Sequence, residues 1–152
     1  MDQVIENKMI EIIPAKTIKE MSIAFNIRTR VFVDEQNVPV DIEMDEFDQT
    51  SEHILCYFND KPVGTARFRQ TSEGYKLERF AVLKEYRNSG VGKALLEYCL
   101  KNLPDESNIY LYSQEQVMGF YNKYGFIQKG RRFYEAEIPH MKMVYNKNIK
   151  SK

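Results

Sequence analysis

The chain has 152 residues, enough for one domain with a real core. Its 22 Lys and Arg balance 22 Asp and Glu, and a net charge of zero argues against nucleic acid, whose phosphates call for excess cations. No apolar run approaches the ~20 residues of a membrane span, and the polar opening MDQVIENKMI has no hydrophobic leader, so the reading is a cytoplasmic protein forming one domain over residues 1–152.

In chain order, KMIEII (8–13) reads as a first strand. Thr17 opens a helix over about 18–31, with Glu20 completing a capping box and Ile18, Met21 and Phe25 at helical spacing. Residues 34–51 read as a long acidic loop. EHILCYFN and PVGTARFRQ are strands joined at the turn signal NDKP. YKLERFAV (75–82) is the next strand. Its apolar phase is odd at Tyr75 and Leu77 but even at Phe80 and Val82. Either a β-bulge near Glu78–Arg79 resets the alternation, or both faces of a central strand are covered.

A helix follows over 90–103, its stripe carried by Val91, Ala94, Leu95, Tyr98 and Cys99, and Pro104 stops it. NIYLYS is a strand. EQVMGFYNKY is a helix with Gly125 as its C-terminal cap. FIQKG and RRFYEAEIPHMKMVY supply the last strands, and the tail 146–152 reads as frayed. The result is a mixed α/β domain with a central sheet. Cys56 and Cys99, both in apolar settings, read as buried thiols, and the pair makes no metal spacing.

RNSGVGKAL (87–95) places two glycines where the second long helix begins. A helix N-terminus offers unpaired N–H groups and the positive end of its dipole, and glycines let an anion come close. Arg87 and Lys93 add charge. The P-loop pattern fails, because Ala94 stands where Ser or Thr is needed, and the GxGxxG pattern fails at Leu95. What remains is R-x-x-G-x-G: Arg87, Gly90, Gly92. This resembles the acetyl-CoA pyrophosphate loop of the GNAT N-acetyltransferase superfamily. LERFAVLKEYRNSGVGKALLEYCL resembles that family's strand–loop–helix core. GFYNKYGF resembles its FYxxxGF signature, and RTRVFVDEQNVP and EIPHMKM resemble a small bacterial branch.

The resemblance implies a mostly antiparallel central sheet flanked by helices, with a β-bulge in the fourth strand. It implies acetyl transfer from acetyl-CoA, a cosubstrate, to a primary amine by direct attack in a ternary complex, with no metal. A non-catalytic CoA- or acyl-CoA-binding module is the alternative. By position, the backbone of Phe80, Ala81 and Val82 would hold pantetheine. Arg87, Asn88, Ser89, Gly90, Val91, Gly92 and Lys93 would hold the pyrophosphate. Tyr112 stands where many relatives have Asn, which puts a side-chain contact there in doubt. Tyr121 would be the acid that protonates the departing thiolate; as a core aromatic it would have no such role.

For a base, Glu78 beside the phase change is the first candidate, acting directly or through water. His53 and His140 suit the role by type but read as hydrogen-bonded structural residues. Eight acids between Asp34 and Glu52, with no Lys or Arg among them, would draw a cationic acceptor, small or peptide-borne, or form a solvated surface. The acceptor's identity and the oligomeric state, a homodimer included, stay open.

Overall fold

A computed structural model describes residues 9–148. Residues 1–8, including Lys8 of the expected first strand, and the tail from 149 onward lie outside the described residues. The first strand, β1, is Ile10–Pro14. Helix α1, Ile18–Arg28, starts as the capping box requires: the Glu20 N–H donates to Thr17 Oγ1 at 3.1 Å and the Thr17 N–H to Glu20 Oε1 at 3.0 Å. The helix continues as a π-helical stretch over Thr29–Glu35.

The acidic region departs from expectation. It is a chain of short helices: α2 at Val40–Glu43 and a 3-10 turn at Glu46–Gln49. Its acids supply the reason. Asp45 caps the second turn, accepting from the Phe47 N–H, and Asp48 accepts from the Asp45 N–H.

Strands β2 (Glu52–Phe58), β3 (Lys61–Thr71) and β4 (Gly74–Val82) form an antiparallel meander. Helix α3, Val91–Asn102, buries Val91, Leu95, Leu96 and Cys99. It crosses so close to β3 that a Cβ on Gly64 would meet the Val91 side chain at 2.7 Å. Strand β5 is Ile109–Gln114. The expected helix over 115–124 is shorter: a 3-10 turn, then α4 at Met118–Lys123. Strands β6 (Phe126–Gln128), β7 (Phe133–Glu135) and β8 (Ile138–Tyr145) close the sheet. Ala136 and Glu137, both at positive φ, turn β7 into β8. Asn146, expected in the frayed tail, donates its N–H to the Gly125 carbonyl at 2.7 Å.

The sheet is mixed and mostly antiparallel, in the order β1-β2-β3-β4-β5-β8-β6, with β7 paired to β8. Among the described strands only β4 and β5 pair in parallel. Cys56 and Cys99 are free thiols in the core, both pushed up to about 12 by burial, and so are unreactive. No helix among the described residues is long and apolar enough to cross a membrane.

Candidate active site

The site begins with two irregularities in β4. Between β3 and β4 the register shifts: Thr65 pairs with Ala81 but Arg67 with Glu78, so Arg79 and Phe80 together stand opposite Ala66. Arg79 absorbs the extra residue at φ 57. Leu77, Phe80 and Val82 are thereby turned toward α3 and α4, and Glu78 and Ala81 toward α1. The second irregularity lies on the other edge. Strands β4 and β5 pair through Tyr75–Ile109, Lys76–Tyr110 and Leu77–Leu111, and there the ladder ends. Beyond Leu77 the two strands separate.

A cavity of about 1020 Å³ opens at this separation. Its walls include Leu77 to Phe80 of β4, Leu111 to Gln114 of β5, Gly90 at the start of α3, and Gly92 and Lys93 of its first turn. Val82 lines it, whereas Ala81 does not. Alternation explains the difference. Leu83 donates its N–H to the Val63 carbonyl, and Ala81 pairs with Thr65 in the same phase, so the Ala81 backbone is committed to β3. The backbone groups of Val82 and Phe80 point to the opposite side. Of the three backbone positions expected to face the gap, Phe80 and Val82 do so, and Ala81 contributes a small buried side chain.

At the cavity mouth α3 starts without a side-chain cap, on Gly90 at φ 93. The N–H groups of Val91, Gly92 and Lys93 lie in its first turn, where no intrahelical acceptor exists. A Cβ on Gly92 would stand 3.4 Å from the Phe120 ring and would narrow the approach. Asn88 is in the left-handed region at φ 65, and the Ser89 hydroxyl donates to the Tyr86 carbonyl. Arg87 donates from Nε to the Val82 carbonyl at 3.0 Å, and both terminal nitrogens are held by Glu35 at 2.6 and 2.7 Å. An anion arriving here competes with that carboxylate. The loop, the first turn and the gap fit a pyrophosphate with an extended thiol arm.

Tyr121 of α4 lines the cavity from the side of α3 and α4, edge-on to Phe80 at 6.1 Å between ring centroids. Burial, with the Cys99 thiol nearby, raises its pKa above the ordinary tyrosine value, so it stays protonated.

The other face carries the charges. Arg67, fully buried, contacts Asp45 at 2.7 Å, Asp48 at 2.7 Å and Glu78 at 3.0 Å. Arg28, 1% exposed, binds Glu43 and Asp48. Arg79 reaches Glu43 and Asp45. Glu78 also meets Arg69 at 2.7 Å and Lys76 at 3.0 Å. This corrects two expectations. Burial alone would raise the Glu78 pKa, but Arg69, Arg67 and Lys76 outweigh it and hold the carboxyl at about 2. Glu78 is thus a weak base at neutral pH, held among three cations. The acidic segment is likewise no open anionic surface toward the cavity: its cavity-lining members Glu35, Glu43 and Asp45 are all ion-paired.

The network carries a pH dependence. Burial raises and Arg67 and Arg79 lower the Asp45 pKa, which settles at about 2, as does Glu78. Folded values below unfolded ones mean that the stabilisation is present above the ordinary carboxylate range and lost as pH falls toward 2. Urea unfolding is expected to give a constant free energy from pH 7 to about 5 and a steady decline below about 4.5, the ordinary glutamate range. A flat profile down to pH 3 would deny these pairs a stabilising role.

His53 and His140 separate. His53 is buried under the acidic segment, Nε2 on the Asp48 carbonyl at 2.9 Å. His140 lines the cavity. Sequence reasoning undervalued it, because only the β5–β8 pairing brings it to the site. Among the described residues no group of three or more His, Cys, Asp and Glu is arranged to hold a metal ion.

A mostly antiparallel sheet, opened between two parallel middle strands and followed by a glycine loop at a helix start, is the acyltransferase class of fold. Residues 15–147 match the family described as the acetyltransferase (GNAT) domain, and the chain belongs to that family. It is 42% identical over 134 residues to the uncharacterized N-acetyltransferase YjcF of Bacillus subtilis, covering 86% of this chain and 95% of that protein. The crystal structure of Escherichia coli ElaA superposes with a TM-score of 0.74 at 29% identity, over 91% of this chain and all of that one. An acyl-CoA N-acyltransferase from Pseudomonas aeruginosa shares the fold, with a TM-score of 0.80 at 24% identity over 92% of this chain and all of that one.

Proposed function

We propose that this single-domain protein is an acetyl-CoA-dependent N-acetyltransferase that acts on a primary amine by direct attack within a ternary complex. One observation carries the reading: β4 and β5 part beyond Leu77 and Leu111, and a cavity runs from that gap to the glycine-led start of α3. Beyond the end of the β4–β5 ladder the backbone at Phe80 and Val82 has no partner strand on the β5 side, where the Val82 carbonyl is held by the Arg87 side chain. The pyrophosphate falls to the segment from Arg87 to Lys93, with donors in the first turn of α3 and positive charge from Arg87 and Lys93. When bound, acetyl-CoA supplies an activated acetyl thioester. Tyr121 holds a proton beside the gap, for the sulfur as it leaves. Direct attack suits the chain, because both its cysteines are buried with raised pKa and poorly placed to carry an acyl group. The paired acids of residues 43–48 favour no particular charge on the acceptor.

The test is thiol release from acetyl-CoA across a panel of primary amines, with calorimetric titration of CoA beside it. Amine-dependent release supports the enzyme. CoA binding with no release from any amine would leave a CoA-binding module. Gly92→Val is expected to weaken CoA binding at least tenfold, because its side chain occupies the approach to the α3 amides. Arg87→Ala is expected to weaken it less, and more so at low salt. The cavity-side position of Gly92, with Phe120 at ordinary contact distance, predicts a folded variant. Unchanged affinity in folded Gly92→Val would remove the loop from the site.

A further inference from the structure

We propose that His140 is the general base for the acceptor amine, acting through Nε2; this rests on the transferase reading above. His140 lies on β8 opposite Gln114 of β5 and opposite Phe133 of β7, and its ring stacks on Phe133 with centroids 5.8 Å apart. Phe133 in turn packs edge-on against Tyr112 at 5.0 Å. His140 is 8% exposed and lines the cavity together with Tyr112, Gln114, Glu135 and Ile138.

Hydrogen bonding fixes its tautomer. Nδ1 lies 2.7 Å from the Ile138 carbonyl oxygen, which can only accept. Nδ1 therefore carries the hydrogen, and in the neutral ring Nε2 is left with a lone pair. Packing and this bond hold the ring still, which a positioned base needs. The Glu135 carboxylate is 3.7 Å from Nε2. It gains nothing from the neutral ring but attracts the imidazolium formed once a proton is taken. Other charged or titratable groups sharing the cavity on this face are Tyr112 from β5, Lys76, Glu78 and Arg79 from β4, Arg69 from β3, and Asp45 with Glu43 from the segment above. Lys142, two residues along β8, is occupied by Glu73. The carboxylates among them are spent on cations: Glu78 on Arg69 and Lys76, Asp45 on Arg67, and Glu43 on Arg28.

The placement suits the bond changes. Tyr121 lines the cavity from the face of α3 and α4, and alternation along β8 sets His140, opposite Gln114, on the other face from Met143, opposite Leu111, so acid and base share one cavity from two faces of the sheet. The amine nitrogen bonds to the acetyl carbon and gives its proton to Nε2 of His140. The carbon–sulfur bond breaks, and the sulfur takes the hydroxyl proton of Tyr121. The imidazolium then loses a proton to solvent and the phenolate regains one. The balance is amine plus acetyl thioester giving amide plus thiol.

His140→Asn separates the two nitrogens, since the asparagine amide can still donate to Ile138 but has nothing at the Nε2 position. The experiment measures kcat/KM, on the concentration of unprotonated amine, from pH 5 to 9 with an amine that wild type accepts. Wild type is expected to fall toward acid pH. His140→Asn is expected to lose about 10²-fold at neutral pH, the low end of general base catalysis, and to show no acid fall. Its CoA affinity is expected to stay within about twofold. His140→Gln, which sets an amide nitrogen where Nε2 was, is expected to be as poor. With only two histidines in the chain, ring-nitrogen NMR reads the tautomer directly, and Nδ1–H is expected for His140. A persistent acid fall in His140→Asn, a loss under threefold, or an Nε2–H tautomer overturns the assignment while the transferase stands. Failure of wild type with every amine overturns both.

Discussion

Tyr121→Phe is expected to lower kcat by about 10²-fold while leaving the fold and acetyl-CoA affinity in place. The phenyl ring keeps the edge contacts with Phe80, Phe120 and Phe126. No hydrogen bond holds the hydroxyl among the described residues, only burial and the nearby Cys99 thiol, so no partner would be left unpaired. Little stability should be lost, because the usual penalty of about 1–3 kcal/mol comes from orphaning a buried partner. What disappears is the proton beside the gap. General acid catalysis contributes about 10²–10⁴-fold. The low end applies here for two reasons. Burial makes Tyr121 a weaker acid than a free tyrosine, and a thiolate leaves tolerably well on its own, with thiols near pKa 8.5. Steady-state kinetics with a melting curve make the measurement. In a folded variant whose chemistry limits turnover, a kcat within twofold of wild type would return Tyr121 to the core.

Arg67→Met is expected to cost about 3 kcal/mol of folding stability. A buried ion pair broken on one side typically loses about 3–5 kcal/mol, because the partner charge stays behind uncompensated. The low end is expected, since each abandoned carboxylate keeps another cation: Asp48 has Arg28, Asp45 has Arg79, and Glu78 has Arg69 and Lys76. Against a typical total of about 5–15 kcal/mol this is a large fraction. It should also blunt the acid dependence, because Arg67 is a main force lowering the pKa of Asp45 and Glu78. Function should suffer beyond stability. Arg67 ties the acidic segment, which lines part of the cavity, to the sheet below it. Urea unfolding at pH 7 and pH 4 tests the stability, and a loss under 1 kcal/mol with an unchanged acid slope would mean that the network does not brace the segment.

The sequence by itself determined the features whose causes are local. The capping box of Thr17 and Glu20 spans four residues, the glycines of RNSGVGKAL act on the helix turn they open, and the change of phase in YKLERFAV lies within one strand. Each depends on backbone geometry within a turn or two, so each is written in adjacent letters. The family resemblance rests on the last two of these stretches together with GFYNKYGF, RTRVFVDEQNVP and EIPHMKM. Tertiary structure decided everything set by pairing at a distance. Eight acids in a row of nineteen residues look like an open anionic surface until Arg28 and Arg67 arrive from α1 and β3 to bind Glu43, Asp45 and Asp48. Glu78 looks like a base until β3 lays Arg67 and Arg69 beside it, and charges at about 3 Å outweigh burial. Ala81 has the same backbone as its neighbours, yet the ladder to β3 consumes it. His140 reads as one of two structural histidines until the register of β8 on β5 sets it at the cavity wall. Charge and reactivity at a site depend on what lies within a few ångströms, and in a sheet those neighbours come from strands that are far apart along the chain.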